Sequence, residues 1–238
     1  MSQDTAPTAE LSDDSVMWRG GALFDLLIVV IVLVAVKQSL LPFTYLYAGP
    51  ASTFSAMAVG TYLLWRRGQG WSDLGLRWPQ SWLKTAGLTL LTMILFVAAA
   101  QSMQLLADYF FDDVGASGRF DHVEGNVAAY AGMMVLVWTH GSVFEELLFR
   151  AFIIDRASRF LGGDLRADLV AAFLSSAFFG YRHFYYQGMH GALITGAGGF
   201  AFAMLYLWFG RTNILPLVFA HGIFNSLAQT QRFLGIRD

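Results

Sequence analysis

Long apolar runs separated by short polar connections dominate this chain, starting with the run from about Ala22 to Val36. The runs lack the two-residue alternation of barrel strands, and backbone amides in hydrocarbon must be satisfied within their own segment, so helices are expected. Seven spans are predicted, at 20–41, 44–65, 84–106, 127–150, 168–187, 190–210 and 213–234. A bilayer core about 30 Å thick needs roughly 20 mostly apolar residues per helix, and 238 residues leave room for at most about eight such spans. The fold class that follows is all-α, a polytopic transmembrane helix bundle. The first 18 residues are polar and acidic, unlike a basic region leading into a short apolar one, so they read as a disordered tail and not as a cleavable signal. Residues 19–238 read as one transmembrane domain.

Composition supports the membrane reading and narrows the chemistry. Hydrophobic residues make up 56% of the chain and charged residues 13%, against about 25% charged in ordinary soluble domains. Cysteine is absent, which excludes disulfides, thiolate metal sites and a cysteine nucleophile, leaving carboxylates, imidazoles and hydroxyls. The net charge of −2 and the confinement of basic residues to loops between spans argue against a nucleic-acid partner.

Two connections stand out. The segment Arg66 to Pro79 mixes polar residues with Trp71, Leu74, Leu76 and Trp78, as a segment lying along the membrane interface does. Asp108 to Asn126 is acidic and glycine-containing and is read as a long loop on the opposite side. Arg66, Arg67, Arg77 and Lys84, then Arg150, Arg156, Arg159 and Arg166, then Arg211 fall on one side of seven alternating spans. The positive-inside bias makes that side cytoplasmic, with the N-terminus inside; Arg19 agrees, while Arg119, Arg232 and Arg237 oppose it. A cell (inner) membrane location is the expectation.

Ionisable residues inside a span cost at least about 2.5–3.5 kcal/mol at its centre, so they are functional suspects. Val143-Phe144-Glu145-Glu146-Leu147-Leu148-Phe149-Arg150 puts two adjacent carboxylates into an apolar stretch that continues through Ile154 towards Gly162-Gly163. Glu146 and Arg150 are four apart in the acid-before-base order that favours a helical ion pair, which leaves Glu145 without a local cation and suited to hold a water as general base. His183 lies far along the fifth span, and His221 and Asn225 share one face of the seventh. A His and an Asn on one face could donate to the oxyanion of a tetrahedral intermediate. Blander readings stand beside these: Glu146 with Arg150 as a structural ion pair, His183 bonded to a carbonyl, and Asn225 as interhelical glue. Asp25 and Lys37 are read as snorkelling to the interfaces and His122 as exposed; His140 and His190 could assist the site, but His140 falls on a different face from Glu145 and loop solvation suffices for His190. The glycines of the sixth span read as close helix packing and not as a phosphate loop.

Taken together, Glu145-Glu146 with Arg150, Phe179 with His183, and His221 with Asn225 resemble the motifs Glu-Glu-x-x-x-Arg, Phe-x-x-x-His and His-x-x-x-Asn of the CPBP intramembrane peptidases. That family embraces CAAX prenyl endopeptidases and bacteriocin-processing or Abi proteins, and the similarity is taken to cover about residues 70–230, including Asp73-Leu74-Gly75-Leu76-Arg77. The resemblance implies an endopeptidase in which Glu145 and His183 activate water, His221 and Asn225 form the oxyanion site, and Glu146 and Arg150 support them. It implies a membrane-associated, prenylated peptide or protein as substrate. No cofactor is required on this reading, although two histidines and a carboxylate could in principle bind zinc. Two competing classes are a non-catalytic membrane peptide-binding, bacteriocin-immunity or scaffold protein, and a proton-coupled transporter. The absence of a repeat between the two halves weighs against the transporter.

Overall fold

A computed structural model describes residues 13–111 and 118–236. Residues 1–12, 112–117 and 237–238 lie outside it, and with them most of the expected tail, part of the acidic loop and Arg237.

The described residues form six helices and no strand: α1 (Asp13–Leu40), α2 (Ala48–Arg66), α3 (Trp82–Phe110), α4 (Val127–Leu161), α5 (Leu165–Trp208) and α6 (Leu215–Phe233). Helix α1 starts inside the stretch read as a tail, and α3 runs past Asp108, so the acidic loop is shorter than the pattern suggested. Four segments are long and apolar enough to cross a membrane by themselves: Arg19–Leu40, α3, α4 and α5. Helices α2 and α6 have 19 residues each, roughly 28 Å of rise.

The 44 residues of α5 would extend about 66 Å as a straight helix, twice the hydrocarbon thickness. The chain instead folds at Gly188, whose φ of 63° and ψ of −170° belong to a region open almost only to glycine. A first arm (165–187) and a second arm (189–208) run back along each other so closely that a Cβ at Gly180 would meet the backbone of Ala192 and Gly196. The fifth and sixth expected spans are these two arms. Seven helical segments therefore come from six helices, four of which are long and apolar enough to cross a membrane, and an all-helical bundle is the fold.

The bundle has two unlike ends. At the basic end, Arg67 donates to Asp25 Oδ1 at 2.9 Å and to the carbonyl of Gly21 at 2.7 Å, and Arg156 Nε lies 3.2 Å from Asp25 Oδ2. The Asp25 hydrogen bond raises the pKa of Arg67 above the ordinary arginine value. Arg156 also binds Gln69 at 2.7 Å, Arg211 pairs with Asp168, Tyr206 donates to the carbonyl of Leu74 at 3.0 Å, and Ile214 N–H donates to Gly75 at 3.1 Å. Gly75 has φ 93°, and a Cβ there would stand 2.7 Å from the carbonyl oxygen of Arg211. The interfacial segment is thus clamped onto the helices by buried polar bonds. Asp25 is a buried ion-pair centre and not a snorkelling residue: spanning helices hide a carboxylate where two arginines meet it.

Above that end lies the apolar core, in which Leu33, Leu64, Leu148, Phe149, Phe152 and Leu217 are fully buried. Outward faces such as Leu90, Ile94 and Leu105 are exposed, as lipid-facing positions are.

The opposite end is joined differently. Arg119 donates to the carbonyl of Leu46 at 2.8 Å and lies over the ring of Tyr186, Tyr45 donates to the carbonyl of Tyr185 at 2.8 Å, and Gly125 N–H donates to Phe233 at 3.0 Å. Lys37 is buried too, donating to the carbonyl of Arg182 at 2.6 Å beneath Tyr185. His190, expected to be loop-solvated, is buried with Nε2 2.6 Å from Asp108 Oδ1, because the Gly188 fold presses the second arm against α3. His122 is exposed, as expected.

Candidate active site

Helix α4 builds the centre of the site, and it is not uniformly α-helical. From Thr139 to Phe144, and again from Leu147 to Ile153, it is wound as a π-helix with i→i+5 hydrogen bonds. Such widened turns are rare and cluster at functional sites. The local consequence is register: residues five apart, which diverge on an α-helix, come together. His140 Nε2 therefore lies 3.4 Å from Glu145 Oε1, although the 3.6-residue period places the two on different faces. His140 Nε2 is buried and has no hydrogen bond.

Glu146 is fully buried. Its Oε2 lies 3.2 Å from Arg150 Nε, and its Oε1 lies 2.7 Å from His221 Nδ1 on α6. The helical ion pair read from the sequence is present, and it also fixes the imidazole of another helix. With Nδ1 committed, His221 turns Nε2 towards Glu145, 3.9 Å from Oε2. That gap is too long for a direct hydrogen bond and suits an intervening water.

The remaining pieces come from α5 and α6. His183 Nδ1 lies 2.7 Å from the carbonyl of Phe179, one turn earlier on the first arm. A carbonyl only accepts, so Nδ1 carries the proton and the neutral ring keeps a bare Nε2. Asn225 donates to the carbonyl of Gly141 at 3.0 Å, an approach that needs the glycine, since a Cβ there would be 3.0 Å from the amide nitrogen. The bland readings of His183 and Asn225 are therefore part of the picture, each spending one polar atom on the backbone and retaining another. Arg150 lies over the Phe179 ring at 4.3 Å, and a Cβ at Gly199 would be 3.1 Å from its Nη2. The small residues of the second arm thus make room for a guanidinium as well as for a helix.

One cavity of about 360 Å³ receives Glu145, Arg150, His183, His221 and Asn225, together with His140. Glu146 stands behind it. The six residues singled out in the sequence converge, and His140, given less weight there because a 3.6-residue period puts it on a different face, joins them through the π-turn. Among the described residues no three His, Asp or Glu side chains gather in the arrangement a metal ion requires. Glu146, which could be a ligand, is already spent on Arg150 and His221.

A family model described as Type II CAAX prenyl endopeptidase Rce1-like matches residues 127–227. The match begins at α4, so the Asp73–Arg77 segment, taken above as part of the resemblance, lies outside it. No curated protein and no solved structure matches the chain. Over residues 127–227, which supply every residue of the site, this integral membrane protein is thus similar to the Rce1-like type II CAAX prenyl endopeptidases, the CPBP/Abi family.

Proposed function

We propose that this protein is an intramembrane endopeptidase that hydrolyses a peptide bond of a membrane-associated polypeptide, using a water activated by Glu145. The observation that carries this reading is Glu145 itself: a carboxylate lining a cavity within the bundle, without a direct ion pair to an arginine or lysine among the described residues, and faced by His140 and His221 at 3.4 and 3.9 Å. Water held on Glu145 attacks the scissile carbonyl carbon as its proton passes to the carboxylate, and a C–O bond forms. The proton then goes to the leaving amine as the C–N bond breaks.

The other residues divide the remaining work. His183, with its bare Nε2, holds the second hydrogen of the attacking water. His221 and Asn225 serve the oxyanion, His221 through Nε2 when that nitrogen carries a proton and Asn225 through its second amide hydrogen. Arg150 lines the same cavity, and its buried Nη1 has no hydrogen bond. Glu146 holds His221 and Arg150 in place and touches no substrate. The family description points to a prenylated C-terminus as the substrate form to try first, and the basic end is assigned to the cytoplasm by the positive-inside bias.

The test is cleavage of prenylated and unprenylated peptide libraries by the purified protein in lipid. Product formed by the wild type, lost in Glu145→Gln and unaffected by a chelator, is the expected outcome. Product that survives Glu145→Gln overturns the role of Glu145, and chelator sensitivity overturns the metal-free mechanism. A folded wild type that cuts neither library overturns the peptidase reading for these substrates and favours a peptide-binding role.

A further inference from the structure

The cavity is longer than the hydrolytic groups require. Along α6 its lining runs from His221 through Asn225 and Gln229 to Arg232, and along α4 from Glu145 through His140 to Met133. The stretch of α6 from His221 to Arg232 rises about 16 Å, room for roughly five residues of extended chain at about 3.3 Å each. The two walls are joined at both ends. Glu146 meets His221 at one, and at the other Tyr130 and Thr230 share a hydrogen bond at 2.9 Å and Gly125 N–H donates to the carbonyl of Phe233. The cavity is therefore a trough between antiparallel helices, with wall beyond Asn225 that the attack on the scissile bond does not use.

Gln229 is the polar group on that stretch with an unmet need. It lies four residues after Asn225, which lies four after His221, so the three form a row on one face of α6. Gln229 is only 5% exposed, and its Oε1 is buried with no hydrogen-bond partner among the described residues. The large majority of buried side-chain polar atoms have a partner, so an orphaned acceptor on a cavity wall calls for one. The bland account, an amide that glues two helices, requires a bond from Oε1 to a neighbouring helix. None is present among the described residues.

We propose that Gln229 is a substrate-binding residue, which accepts a hydrogen bond from a backbone N–H two or three residues from the scissile bond and thereby selects a chain bound in extended form. The terminal torsion of a glutamine is broad, so the amide turns to an arriving N–H without any movement of α6. The register follows from two repeats. Asn225 serves the oxyanion, the step from Asn225 to Gln229 rises about 6 Å, and two residues of extended chain cover that length at about 3.3 Å each. A helical segment has its N–H groups committed to its own carbonyls and offers Gln229 no donor, so it must unwind to bind here. The proposal rests on the endopeptidase reading for the position of the scissile bond.

The test is a backbone ester scan. The library peptide that binds Glu145→Gln protein most tightly in lipid is remade with one amide at a time replaced by an ester, which removes a single N–H and keeps the shape. Binding to Glu145→Gln protein and turnover by the wild type are both measured. One ester, two or three residues from the cleaved bond, is expected to weaken binding and raise KM about tenfold, the scale of one hydrogen bond. In a Gln229→Met background, where a side chain of similar length lacks the acceptor, the same ester is expected to cost less than about twofold. A scan with no sensitive ester at that distance overturns the proposal even if Gln229→Met does not fold, and so does a sensitivity that Gln229→Met leaves unchanged. Either result with a peptide that the wild type cuts leaves the peptidase reading standing. A Gln229-dependent ester in a peptide that is bound and never cut leaves Gln229 as a peptide-binding residue, and the peptidase reading is what has failed. If no library peptide is bound or cut, both fall.

Discussion

The two halves of helix α4 handle buried charge in opposite ways. At its C-terminal end, Asp155 is bonded by Arg156 and Arg159, and Arg156 also reaches Asp25 and Gln69, so each ionic group there is joined to others in a closed network against the core. In its middle, Glu145 sits in a cavity with neighbours just beyond hydrogen-bond distance, and His140 Nε2 and Arg150 Nη1 are buried without a hydrogen bond. Both regions carry a desolvation penalty; the first meets it with ion pairs that hold every charged group, although Arg156 Nε there is also buried without a hydrogen bond, whereas Glu145 in the second faces a cavity. A carboxylate that faces a cavity, and not a charged partner, marks the place where another molecule supplies what is missing. The difference separates groups that hold the bundle from groups that act on a substrate, and mutations at the two places should fail differently.

The largest expected effect is at the centre. Glu145→Gln keeps the shape but removes the base, so kcat should fall by about 10²- to 10⁴-fold, while the thermal midpoint in lipid or detergent stays close to that of the wild type. A comparable loss of stability would move Glu145 into the structural class and erase the distinction. Asp25→Ala should do the reverse. It removes the acid shared by Arg67 and Arg156, and breaking a buried pair costs roughly 3–5 kcal/mol; the lower part of that range is expected, because Arg156 retains Asp155. Thermal unfolding should show the loss, while turnover per folded molecule is preserved.

Next in size is the fold-back of α5. Gly188→Ala forces a Cβ into a backbone region that costs on the order of 1–3 kcal/mol for other residues. Its effect should appear in both readouts, because the first arm carries His183 and the second makes room for Arg150 at Gly199. A melting curve and a kcat both unchanged would show that the turn does not couple the arms to the site.

Much of this was legible in the sequence, for identifiable reasons. Hydropathy located the spans, including the break near Gly188, because each crossing must be apolar over the full thickness of the bilayer. Spacing of four paired Glu146 with Arg150, since most helices keep that period, and the three motifs named five residues of the cavity wall together with Glu146, which stands behind it. What escaped the pattern depended on tertiary contact or altered helical winding. Asp25 looked like an interfacial residue because its partners, Arg67 and Arg156, are 42 and 131 residues away and nothing local announces them. His190 looked solvated because its partner Asp108 was assigned to a loop that is in fact helix. His140 was set aside by a period that holds everywhere on α4 except where the π-turn lies.

That π-turn gives the smallest of these effects and the sharpest test of the comparison. His140 Nε2 stands 3.4 Å from Glu145 Oε1 without a hydrogen bond, so its expected role is positioning: as the gap closes on substrate binding, an N–H at Nε2 steadies Oε1 and leaves Oε2 for water beside His221. His140→Leu keeps the bulk and removes the donor, whereas His140→Gln restores an amide N–H near the Nε2 position. The first should lower kcat about tenfold, the equivalent of about 1.4 kcal/mol, with KM changed less than about threefold, and the second should recover most of the loss. A role in packing alone predicts a different pattern, in which both variants shift the melting midpoint and neither separates kcat from KM. Because His140 and Glu145 meet only through i→i+5 winding, deleting one residue between them should remove the contact, and the added loss from His140→Leu should then vanish. A loss that persists in the deletion variant would mean that His140 acts on something other than Glu145, and that the widened turn is a feature of packing.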